Sequence, residues 1–214
     1  MLLQLIPYFF LLNSFSIDNP QPIEPKENQL ANYLKSTNYP ELFFMGSYSA
    51  ADSIWDSDTT GIILQTIVAD EKADSRSRFF SAQILFSHSE WIPSGELKKE
   101  VAGLYASALR HNYTDVANPW GLPDDYGDAG KNVVKLGKDA IDAFRPLLHC
   151  KKRLVYIGSK TATVGKIYRY RVKDVAACYI NAILNWKFVL EEKIPVRRRL
   201  TICRLKTKLL FTGK

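Results

Sequence analysis

Apolar side chains recur every three to four residues along most of the chain, broken at intervals by clusters of Pro, Gly and Asp. Leu30, Tyr33 and Leu34, followed beyond Pro40 by Leu42 to Met45, predict two short helices over residues 28–45. Asp58, Thr59 and Thr60 offer N-cap oxygens ahead of Ile63, Ile67 and Val68, and a polar turn at residues 70–75 leads to a second helix carrying Phe79, Phe80, Ala82, Ile84 and Leu85. Ser94 is placed to cap the best amphipathic stretch, with Leu97, Val101, Leu104 and Ala108 on one face. Val133, Val134 and Leu136 run up to Gly137, a position suited to a left-handed C-cap. Ile141, Phe144, Leu147 and Leu148 form the next stripe, in which Pro146 marks a kink or an early stop. Val172, Val175, Ala176, Tyr179, Ile180 and Ile183 mark a last helix.

Two segments break this rhythm. Pro119, Gly121, Pro123 and Gly127 force a loop across residues 111–128. Residues 153–171 are rich in β-branched and aromatic side chains around Gly158 and Gly165, which predicts a β-hairpin, with an ordered helical loop as the rival. The expected fold class is therefore mainly α, an irregular stack of antiparallel helix pairs with a hairpin insertion near 153–171.

An internal echo links two helices. Residues 78–85 (RFFSAQIL) and 173–180 (KDVAACYI) share the order basic-x-x-small-small-x-x-aliphatic. Each resembles the second helix of a HEAT repeat of the armadillo type, and residues 136–148 (LGKDAIDAFRPLL) resemble a HEAT first helix. The resemblance covers about 85 residues, in two pieces. It implies close-packed helix pairs and, by analogy of fold alone, protein binding. The insertion of residues 151–170 within the second pair and the lack of a constant period depart from a regular solenoid.

Charge divides the chain. The net charge is +7. Residues 187–214 hold nine Lys/Arg against Glu191 and Glu192, while the rest holds 20 basic and 20 acidic residues. At 214 residues, the chain suits one domain over residues 28–186 followed by a basic tail, 187–214. Residues 1–16 place an apolar run of twelve ahead of Ser14-Phe15-Ser16, too short for a membrane span and suited to a signal peptide. Residues 17–27, with Pro20, Pro22 and Pro25, read as an extended linker. Secretion or a periplasmic location is expected, with a cytoplasmic protein as the alternative. Cys150, Cys178 and Cys203 are odd in number and give no disulfide framework; Cys178 falls on an apolar helical face.

Chemistry is sparse. No Gly-x-Ser-x-Gly or Ser-x-x-Lys signature occurs. Gly158 and Gly165-Lys166 have the wrong spacing for a phosphate loop, and residues 56–61 open like a calcium loop whose twelfth position is Ile67. No catalytic residue, metal ligand or cofactor is expected. Trp120, Asp124, Asp125 and Tyr126 are the candidate partner-binding residues of the acidic loop, with burial of the aromatics between helix pairs as the rival reading. Arg197, Arg198 and Arg199 are candidates for contact with an anionic surface. The leading expectation is a non-enzymatic, exported helical domain that binds another macromolecule, a protein in the first instance. The alternatives are a small hydrolase-type enzyme with a dispersed site near residues 115–128, and nucleic-acid or anionic-surface binding through the tail, nucleic acid being disfavoured by export.

Overall fold

The computed structural model describes residues 26–43, 50–55, 58–123 and 125–184. The expected leader, most of the linker, Asp124 and the basic tail with Arg197, Arg198 and Arg199 lie outside the described residues. The chain is mainly helical: α1 (Lys26–Ser36), α2 (Tyr39–Phe43), α3 (Ala50–Ile54), α4 (Asp58–Ala69), α5 (Ser75–His88), α6 (Gly95–His111), α7 (Asp128–Leu136), α8 (Lys138–Phe144), α9 (Ser159–Tyr168) and α10 (Val172–Leu184).

The centre is α5. Its residues from Ser77 to Phe86 are all buried, so no face of this stretch is left to solvent. Such a helix must be enclosed by neighbours, and α1, α4 and α6 supply them. Asp74 starts it by accepting the backbone N–H of Arg76 at 3.0 Å. Ser94 takes the N-cap position of α6, yet its side chain makes no capping hydrogen bond. On the far side of α6 lie α7 and α8, which pack in turn on α10.

The small pair in each echoed helix lies against the core. Ser81 and Ala82 are fully buried, Ala176 is buried and Ala177 half-buried, with Leu85 and Ile180 buried one turn later. The pairs α4/α5 and α8/α10 are packed together. Arg78 sends Nε to the Val68 carbonyl at 2.8 Å and Nη2 to Glu100 at 2.7 Å. It thereby satisfies an orphan carbonyl in the last turn of α4 and joins α4, α5 and α6.

Polar atoms inside the core are shared. Gln83 Oε1 accepts from the Tyr105 hydroxyl at 2.7 Å and from Asn132 Nδ2 at 3.1 Å, which ties α5, α6 and α7. Gly137 has φ +63° but ψ −135°, so it turns the chain directly into α8 instead of forming the expected left-handed cap. Pro146 ends α8, and residues Arg145–His149 continue as a 3-10 turn, the tighter form that tolerates the missing N–H. Cys178 is buried and Cys150 half-buried, and neither forms a disulfide among the described residues; Cys203 lies outside the described residues.

The hairpin is replaced by a helix on paired arms. Leu154 N–H donates to Tyr170 at 2.9 Å and Val172 N–H to Lys152 at 2.9 Å, around a single antiparallel bridge between Arg153 and Arg171. Between the arms, Ser159–Tyr168 is α9. Strand alternation is confined to residues 154–157, where Leu154 and Tyr156 are buried and Val155 and Ile157 exposed. Beyond Gly158 the threonines take helical bonds, with Thr163 Oγ1 donating to the Ser159 carbonyl at 2.6 Å.

Candidate functional site

The loop between α6 and α7 turns its aromatics inward. Trp120 is 1% exposed. Its ring stacks on Phe79 at 6.0 Å and meets Tyr105 edge-on at 6.3 Å, and Nε1 donates to Thr114 Oγ1 at 3.0 Å. The Tyr179 hydroxyl donates to the Trp120 carbonyl. Tyr126 is half-buried and lies edge-on to Tyr179 at 5.5 Å. Burial first, and then the neighbouring Tyr156, raise the Tyr179 hydroxyl well above the ordinary tyrosine range. Of the four residues proposed for partner contact, Asp125 is exposed, and Asp124 lies outside the described residues. Trp120 therefore follows the rival reading and seals the core.

Backbone crowding closes this loop. Gly121 has φ +76°, and a Cβ there would lie 2.1 Å from the Gly127 nitrogen. Leu122 and Asp125 exchange backbone hydrogen bonds of 2.9 and 3.1 Å across the tip. The closed loop presents acceptors and donors to the next segment of chain. Ala117 N–H donates to the Val155 carbonyl at 2.7 Å, and the Asn118 side chain pairs with both backbone groups of Ile157 at 2.9 Å each. The Tyr156 hydroxyl donates to the Gly121 carbonyl at 3.0 Å.

The element so held is an arm, residues 151–173, with unusual surface chemistry. Among the described residues of α9 none is buried. Within the arm, Gly165 lies against Tyr156, where an added Cβ would come within 2.7 Å of the ring, and Asn118 of the body donates to Thr161 Oγ1 at 3.1 Å. Large aliphatics face outward: Val155 is 66% exposed, Ile157 48% and Ile167 67%. The arm contains eight Lys/Arg and no Asp or Glu. Among the described residues, Arg171 alone of these eight forms an ion pair, with Asp174 at 3.1 Å. These residues were missed in the sequence because the body as a whole is neutral. A running charge count finds the arm, since the other residues of 1–186 carry 12 basic and 20 acidic groups.

Among the described residues, no group of three or more His, Cys, Asp or Glu side chains is placed to hold a metal ion. No described helix is long and apolar enough to cross a membrane. Compared with known proteins, the chain matches no family model, no curated protein and no solved structure.

Proposed function

We propose that this chain is a non-enzymatic helical binding domain whose basic arm, residues 151–173, docks on an acidic protein surface. One observation carries the reading: no side chain of α9 is fully buried and Ile167 is turned outward, yet the loop beside it is folded and hydrogen-bonded to hold its arm in place. A short helix gains little stability by itself and takes its order from contacts. Exposed aliphatics surrounded by unpaired cations suit a partner that offers apolar pockets within a negative field. The outward side chains Val155, Ile157 and Ile167 are aliphatic, which favours a protein over single-stranded nucleic acid, where exposed aromatics would stack on bases. The resemblance of α4/α5 and α8/α10 to HEAT pairs supports the same class of function by analogy. Export rests on the apolar run in residues 1–16 and is tested by sequencing the N-terminus of the mature protein.

The arm is tested with a photo-crosslinking side chain at Ile157 or Ile167, and at exposed Ile62 as a control. The expected result is an adduct with one acidic protein from the arm positions only, lost when Lys160, Lys166 and Arg169 are changed to Glu. Equal adducts from Ile62, or charge-dependent binding to duplex DNA or anionic vesicles in place of protein, would sink the reading.

A further inference from the structure

Away from the outward faces of the arm, basic side chains from separate elements converge on a cleft of about 510 Å³. Lys35 comes from the last turn of α1, Arg76 from the first turn of α5, His111 from the end of α6 and Lys152 from the base of the arm. We infer that this cleft binds a phosphate group.

The acidic residues of the cleft are already engaged. Asp74 caps α5, and Asp115 lies 3.4 Å from Arg76 Nη2, held in the left-handed region at φ +59°. Arg76 is fixed besides by a 2.9 Å bond from Nη2 to the Thr37 carbonyl and by its seat 5.2 Å over the Phe80 ring. Its Nε is shielded from solvent and has no hydrogen-bond partner. Lys35 and Lys152 have no ion-pair partner among the described residues; Lys152 spends one donor on the Arg110 carbonyl at 3.2 Å and keeps two. The cleft therefore offers a fixed guanidinium, the Lys35 and Lys152 ammonium groups and the His111 ring against two carboxylates, Asp74 and Asp115, an excess of positive charge that favours an anion. A phosphate, with a charge of about −1.5 to −2 and three strong acceptor oxygens, matches that set better than a single carboxylate does. The inference stands apart from the protein-docking role of the arm, because Lys35, Arg76 and His111 lie outside residues 151–173 and Lys152, at the base of the arm, is the one residue of the four that falls within it.

Calorimetric titration of the full chain with inorganic phosphate, O-phosphoserine and serine tests it. Saturable binding of phosphate or phosphoserine but not serine is expected, and the tighter of the two identifies a free ion or an ester as the source. Lys35→Met alone, and Lys35→Met with Lys152→Met, should leave the melting temperature unchanged, and the double variant should bind at least about tenfold more weakly. Lys99→Met, on the exposed face of α6, should bind as the parent does. Absence of saturable binding, or equal affinity in the double variant, overturns the site.

Discussion

Gly165 of α9 lies against the ring of Tyr156, so close that a Cβ at position 165 would stand 2.7 Å from Cδ2 and 3.2 Å from Cβ of the tyrosine. This contact, with half-buried Val164 and Tyr168, seats a helix that has no fully buried side chain. Gly165→Leu should push α9 off Tyr156 and cost about 1–3 kcal/mol, read as a lower urea midpoint. An unchanged midpoint would show that α9 is not anchored there.

Trp120 should behave as a core residue. Trp120→Ala removes the stack on Phe79 and the donor to Thr114, and should destabilise the fold by about 3–5 kcal/mol. With Trp55, Trp91 and Trp186 replaced by Phe, the fluorescence of the remaining Trp120 should resist iodide. Quenching at the rate of a free indole would contradict its burial.

Arg78 tests the junction of three helices. Arg78→Met leaves Glu100 without its partner and the Val68 carbonyl without its donor, for a loss of about 2–4 kcal/mol. Glu100→Gln should cost less, because the Glu100 side chain is 30% exposed and water can replace the arginine. A double-mutant cycle gives the pair energy; additive losses would mean that the two do not interact.

Stability should fall at both ends of the pH range. His88, with Nε2 3.0 Å from Asp52, sits in a site where burial lowers its basicity and the Asp52 charge only partly restores it. The approach is an ion-pair contact when the ring is protonated, without the alignment of a directed hydrogen bond. A depressed folded-state value means that His88 contributes stability above its unfolded pKa of about 6.5, lost as pH falls through the lower folded value. His88→Gln should flatten the acid limb of chemical denaturation measured from pH 7 to 5. At the alkaline end, burial raises Tyr39, Tyr105, Tyr156 and Tyr179 above the ordinary tyrosine range. Their contribution is complete below the unfolded value near 10 and declines as pH rises toward the folded values. Phenolate absorbance should therefore appear in two stages, the second coincident with loss of far-ultraviolet dichroism.

The helical frame was legible because burial on one face imposes a period of 3.6 on the sequence. Val101, Leu104 and Ala108 are buried in α6 at the expected spacing, and Cys178 lies inside α10. The arm was not legible in the same way. Thr161, Thr163, Val164 and Ile167 carry strand propensity, but propensity is decided by packing, and here Gly165 against Tyr156 and the bonds from Asn118 favour the helix. Trp120 and Tyr126 were ambiguous for a related reason. An aromatic on a loop reads the same in sequence whether it faces water or Phe79.

Local periodicity and breakers thus determined the helices other than α3 and α9 and where the loop after α6 falls, since these depend on neighbours within a few residues. Only the tertiary structure decided that α5 is enclosed on all sides, that the acidic loop points its aromatics inward, and that Lys35, Arg76, His111 and Lys152 share one cleft. Those outcomes join side chains far apart in the chain, whose free energies depend on what surrounds them in space and leave no period in the sequence.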